Sequence, residues 1–484
     1  MTAITDHRQP PQRAQLFGVI LHKAMWHKHF VPICLVAAFL IRIVWISLLQ
    51  VQPVSDMRWY YERGMDFAAG KGYSVSASTY WPENLPPAAL IADNEYSTQR
   101  RPTAYWPVGY PAFLGLLFAI FGPSVLVAKV ANVFLYTGIL CLAYSIARKM
   151  FNSELNGRIT LLILSLYPNH IAYSSLLATE ILFLFLLLLA IALLTLFSAR
   201  LWMLLASGGV FGLACLVKPQ AIFVPAVIFA VSVLAAGGRQ ELLKQLVRHH
   251  RDYYIPRPRS WRLNRDYQDH FDGALACCVI VYIALGLTIL PWIVRNYYVF
   301  NDFVFISNNG GINLLVGNNP YASGAYGHHE QIASMLSDVK NERERDMRAH
   351  SIAVDYAVSH AWDAFRLWPR KLWYLYSKDV EGISWNENGM DISEGSVGQS
   401  IMLTLKAIAQ LYYMFIVAVF VLFFISRLHQ HRKKATNGPV PMFGLWIGLY
   451  FTLLCLLTFG DSRFHFPVMP WMVMYAGAFV SNRG

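Results

Sequence analysis

The sequence predicts an all-α polytopic membrane protein with about ten transmembrane helices, and three observations carry that expectation. Of its 484 residues 56% are hydrophobic and 14% charged, whereas soluble domains are roughly one quarter charged. Apolar runs near the length that crosses a bilayer recur along the chain. Basic residues gather in alternate connections, as cytoplasmic loops do. The net charge of +12 is therefore an orientation signal, and no nucleic-acid partner is expected. All six cysteines fall inside apolar runs, so no disulfide framework is expected either.

Residues 1–29 read as a basic, proline-containing cytoplasmic tail. The first span is expected at 30–49, uncleaved, because no small-residue cleavage site follows it. The polar stretch 50–106 forms a first outer loop. It opens with an interfacial helix in Val51–Gly72, whose Trp59, Tyr60, Tyr61 and Phe67 suit the headgroup level. Trp106–Phe121 is short and stops at Gly122-Pro123, which predicts a juxtamembrane or re-entrant helix. Further spans are expected at 124–147, 159–174, 176–197, 201–217, 219–236, 273–293, 401–426, 441–458 and 464–480.

With the N-terminus inside, the short basic clusters share the cytoplasmic side: Arg148, Lys149 and Arg158; Arg200; and Arg427, Arg432, Lys433 and Lys434. The 237–272 loop, with its eight Lys or Arg, joins them there. Counting 106–121 as a crossing would move most of them outside. The chain thus divides into a transmembrane module at 30–293, an outer segment of mixed helix and loop at 294–400, and C-terminal helices at 401–484. The outer segment contains SNNGGINLLVGNNPYASGAYGHH. It continues in helices near Asn341–Arg366 and Pro369–Lys378, whose Trp362, Trp368, Trp373, Tyr374 and Tyr376 are expected at the membrane surface.

Ionisable residues within or beside spans are costly and mark candidate sites. Glu180 lies near the outer end of a span and is followed by a long apolar run. Its bland reading is one interhelical hydrogen bond from a protonated carboxyl, or a partner for a neighbouring basic group. Lys218, Arg295, Arg463 and His465 lie at outer span ends, where snorkelling alone could place long basic side chains. Asp56 follows the first span, where capping alone could explain it. The arrangement outweighs the single residues, because these cations share one side with Asp56 and Glu180. Such a cluster suits a lipid phosphate, with Arg able to bind it bidentately, and a carboxylate opposite could act as general base. Walker, HExxH and GxSxG motifs are absent from the sequence. His328-His329 and the HxH at His429–His431 lack further ligands at metal spacing, so no metal site is read there.

These pieces resemble the polyprenol-dependent glycosyltransferases of the GT-C class, in the bacterial branch related to protein O-mannosyltransferases and lipid A aminoarabinose transferases. The matching stretches are SDMRWYYERGMDFAAGKGYS, YWPVGYPAFLGLLFAIFG, LYPNHIAYSSLLATEILFLFLLLL, LVKPQAIFVP, PWIVRNYYVF, SNNGGINLLVGNNPYASG and GDSRFHFPVMPW, in family order over nearly the whole chain. The resemblance implies an inverting transfer from a polyprenyl-phosphate-linked sugar to a hydroxyl of a glycan, lipid or protein acceptor. The site would face outward from a bacterial inner membrane, among membrane lipids. Asp56 would be the catalytic carboxylate and Glu180 the second acidic position. Arg58, Tyr60, Arg101, Lys218, Arg295, Arg463 and His465 would contact substrate. Two departures stand out. Trp106 precedes Pro107 where relatives often carry Lys or Arg, with Arg101 five residues earlier. Asp56 stands alone where some relatives have an acidic pair, which leaves a divalent cation open; no other cofactor is expected. The competing reading is a transporter or flippase of a lipid-linked or anionic solute, disfavoured because the polar residues cluster on one side.

Overall fold

A computed structural model describes residues 25, 27–76, 100–196, 200–236, 265–327, 329–339, 341–390, 392–432 and 442–481. Most of the tail 1–29 and of the loop 237–272, residues 77–99 of the first outer loop, and His328 lie outside the described residues.

Helix α1 (Phe30–Leu48) is followed by the amphipathic α2 (Asp56–Ala68). An antiparallel ribbon of β1 (Ser74–Val75) and β2 (Arg101–Pro102) comes next, and then the short apolar α3 (Gly109–Phe121). Helix α4 (Val125–Phe151) begins at Ser124, whose hydroxyl accepts from the Leu126 amide, and stops at Asn152 in the left-handed conformation. There follow α5 (Glu154–Ser165), α6 (Pro168–Ala172), α7 (Thr179–Thr195), α8 (Leu201–Val217), α9 (Val224–Ala236) and α10 (Arg265–Phe300). Then come α11 (Gly310–Gly317), α12 (His329–Met335), α13 (Glu342–Ser359), α14 (Ala361–Arg366), α15 (Trp368–Tyr376) and α16 (Glu381–Asn388). The chain closes with α17 (Val397–Arg432), α18 (Phe443–Leu457) and α19 (Met469–Ser481). The fold is that of an all-α polytopic membrane protein.

Each interval expected as a span holds a helix, but they differ in length. Among the described residues four helices are individually long and apolar enough to cross a bilayer: Phe30–Leu48, Val125–Phe151, Gly273–Phe300 and Val397–His429. The interval 159–174 departs from expectation, since α5 ends at Ser165 and a short irregular passage follows. Pro168 is the cause: it offers no amide hydrogen and biases Tyr167 away from helical geometry, and Tyr167 is extended with ψ 110°. Pro168–Ser175 then meets α7 at 114°. This bend sets Glu180 in the first turn of α7, where the helix dipole favours a carboxylate.

Helix α3 lies against α2, because neither side has a side chain at the crossing. A Cβ on Gly115 would come within 2.4 Å of Phe67 Cβ, and one on Gly64 within 2.8 Å of Leu114 Cβ. That contact buries Trp59 and Tyr60 and fixes α2 against α3. On α14 and α15, Trp362 and Trp373 are exposed, matching the amphipathic pattern of the sequence.

Candidate active site

A cavity of about 570 Å³ opens between the start of α2, the Tyr105–Pro107 stretch, the start of α7, the end of α8, the start of α11 and the turn after α18. Four charged side chains line it: Asp56, Glu180, Lys218 and Arg463. They come from four distant places in the sequence.

Asp56 is the first residue of α2, and Ser55 takes the cap position without a side-chain cap bond. Ser55 has φ 49°, a conformation that typically costs a non-glycine residue about 1–3 kcal/mol. The strained residue aims the helix start, and the Asp56 carboxylate accepts from Arg463 Nη1 at 3.3 Å. Arg463 sits in a 3-10 turn, Ser462–His465, capped by Asp461, which accepts from the Arg463 amide at 3.0 Å. Burial disfavours the Arg463 charge, yet Asp56, Asp461 and Glu180 hold the guanidinium well above its ordinary pKa. Its Nε is buried without a hydrogen-bond partner.

Glu180 is buried in the first turn of α7 and accepts from Lys218 Nζ at 2.9 Å. Lys218 lies in the extended residue between α8 and Pro219, so its ammonium reaches inward rather than along a helix side. Phe464 bridges the two pairs, with the Arg463 guanidinium 5.4 Å and the Lys218 ammonium 5.9 Å from its ring centre. Tyr60 also lines the cavity. Burial pushes its hydroxyl pKa well up, Asp56 adds to the rise, and Arg463 opposes it.

The other expected contacts lie elsewhere. Arg58 is exposed and pairs with Glu62 at 3.1 Å, and Arg101 is exposed on β2. Arg295 donates to the carbonyls of Tyr73 and Thr103, each at 2.9 Å, and binds the ribbon to α10. His465 is buried with Nε2 3.2 Å from Asp379. It is stacked between the Tyr376 and Tyr413 rings, where it anchors the Arg463 turn.

Of the other lining residues, Tyr105, Tyr173 and Gln220 stand within the matching stretches and Tyr326 in the Gly/Asn-rich run, without any property of their own to single them out, and Trp385 lies outside both. Trp106 was noted only as a departure, and Ser307, Asn309 and Asn313 only as part of a Gly/Asn-rich run. Glu342 of α13 was also missed. Its half-buried carboxylate accepts from Thr103 Oγ1 at 2.6 Å, the Ala104 amide at 2.9 Å and Asn308 Nδ2 at 2.9 Å. It thereby clasps the first outer loop to the Asn-rich loop. Burial raises its pKa against the pull of those three donors. Among the described residues no group of three His, Cys, Asp or Glu could hold a metal ion, so no metal ligand set is assigned.

The family model described as dolichyl-phosphate-mannose-protein mannosyltransferase matches residues 106–250. The match covers less than a third of the chain. The matched segment includes Trp106, Glu180 and Lys218 of the cavity wall. Among solved structures, the Archaeoglobus fulgidus oligosaccharyltransferase, in complex with Zn and sulfate, matches at 12% identity and TM-score 0.49, over 94% of this chain and 49% of that one. ArnT from Cupriavidus metallidurans, bound to undecaprenyl phosphate, matches at 12% identity and TM-score 0.36, over 94% of this chain and 77% of that one. The chain thus spans about half the length of the archaeal enzyme. No curated protein sequence matches it.

Proposed function

We propose that the chain transfers a sugar from a polyprenyl-phosphate donor to an acceptor hydroxyl at the outer face of the membrane, with inversion at the anomeric carbon. The observation that carries this reading is the convergence of Asp56, Glu180, Lys218 and Arg463 on one cavity. The acceptor oxygen attacks the anomeric carbon as the sugar–phosphate bond breaks, and the bonding pair leaves on the phosphate oxygen. The acceptor proton passes to the Asp56 carboxylate. Arg463 receives the phosphate charge, its planar guanidinium suiting a bidentate contact. The Lys218–Glu180 pair supplies a second, fixed cation beside it.

The test uses the purified full chain in nanodiscs with a radiolabelled polyprenyl-phosphoryl hexose and extracts of the host envelope as acceptor source. Label moving to a lipid, glycan or protein in wild type, and no longer moving with Asp56→Asn, supports the reading. Donor that crosses the bilayer without losing its sugar would replace it with transport.

A further inference from the structure

We infer that Asn309 and Asn313 form the sugar-reading edge of the cavity, and that the sugar they read is an uncharged pyranose. This rests on the transferase reading above. The run Ser307–Asn319 contains five asparagines, and they divide by use. Asn308 donates to Glu342, Asn318 to the Leu314 and Leu457 carbonyls, and Asn319 to the Leu315 and Val316 carbonyls. Those three fasten the loop.

The remaining two line the cavity. Asn309 accepts from Ser307 Oγ at 2.9 Å and has no described partner for its amide nitrogen, and Asn313 makes no described side-chain hydrogen bond. The Asn313 amide donates to the Asn309 carbonyl at 3.1 Å, so the two residues sit one helical turn apart on the same face of α11. A carboxamide offers two donors and an acceptor, which matches vicinal hydroxyls that each donate and accept. Tyr105 and Trp106 supply an apolar wall to the same cavity, with ring centres 5.1 Å apart. Few placed polar groups among aromatic side chains is the usual make-up of a small-molecule pocket.

Charge decides the class of sugar. Each of the four charged groups lining the cavity already has an opposite partner, Asp56 with Arg463 and Glu180 with Lys218. The α11 edge is neutral. An amino sugar or a uronic acid would bring its charge against carboxamides and rings without a counter-charge, whereas a neutral hexose needs none.

The probes are three lipids on the same carrier: bare polyprenyl phosphate, its neutral hexosyl ester and its amino-sugar ester, bound to the full chain in nanodiscs and read by native mass spectrometry. Wild type should prefer the hexosyl lipid over the amino-sugar lipid, with bare lipid phosphate as the reference for the carrier's own affinity. Asn309→Ala and Asn313→Ala should each remove about three- to tenfold of that preference, the worth of one hydrogen bond, while affinity for bare lipid phosphate stays unchanged. Asn313→Asp should shift the preference towards the amino-sugar lipid. Bare lipid phosphate binding with a sugar preference untouched by all three variants overturns this inference and leaves the transferase reading standing. A wild-type preference for the amino-sugar lipid overturns it as well. No binding of any of the three lipids overturns both.

Discussion

At the scale of residues, Asp56 separates two roles that favour the same amino acid. Its carboxylate meets Arg463 and Ser55 holds the cap position, so Asp56→Asn should insert and fold normally. Loss of a positioned base should lower transfer by about 10²–10⁴-fold, measured as turnover at saturating donor. The buried pair beside it behaves differently. Lys218→Met strands the Glu180 charge, and breaking a buried pair typically costs about 3–5 kcal/mol. Pairing that change with Glu180→Gln should recover most of the lost stability in a thermal melt; a double variant as unstable as the single would show that Lys218 stabilises through packing alone. Asp56, Glu180, Lys218 and Arg463 were legible because cations at outer span ends run against the positive-inside pattern. Arg295 carried the same signature, yet its guanidinium is engaged with the Tyr73 and Thr103 carbonyls. A sequence cannot separate an arginine facing a cavity from one tying a loop.

At the scale of elements, the turn bearing Arg463 is only as well placed as its anchor. Burial lowers the His465 pKa, but the adjacent Asp379 and the Leu375 carbonyl outweigh it and raise the net value above 6.5. A group raised on folding adds stability that is complete below its unfolded pKa and is lost as pH climbs through the folded one. The melting temperature should therefore fall as pH rises above about 6.5, the ordinary histidine value, and Asp379→Asn should flatten that slope. The helices themselves were readable from apolar runs. The break at Tyr167-Pro168 was not, because the apolar composition continues across it; only the proline marked the spot. The Glu342 clasp was invisible for another reason: it joins residues 239 positions apart and looks in sequence like any surface glutamate.

At the scale of the whole molecule, the proposed topology puts both outer segments on one side with the cavity between them. Cysteine placed at Ser337, which is exposed after α12, should react with an impermeant reagent in intact cells, as should one at Ser76. Labelling of Ser337→Cys only after permeabilisation would invert the whole arrangement. The order of spans was legible because apolar length and basic charge are one-dimensional signals. The count of crossings depends on how short helices such as α8, at 17 residues, and α18, at 15 residues, tilt and stack, which no single stretch records.

The contact between Asp56 and Arg463 has a consequence for turnover. Transfer converts a phosphodiester into a phosphate monoester, whose charge approaches about −2 near neutral pH, so the spent carrier grips a guanidinium harder than the donor did. With Asp56 3.3 Å away, Arg463 has an internal replacement for that ligand as soon as the carboxylate sheds its proton. In the proposed cycle, the side chain that takes the acceptor proton then helps to eject the spent carrier. Asp56→Asn should show this as stickiness: tighter retention of bare polyprenyl phosphate and slower exchange of it for fresh donor, in an assay that needs no catalysis at all.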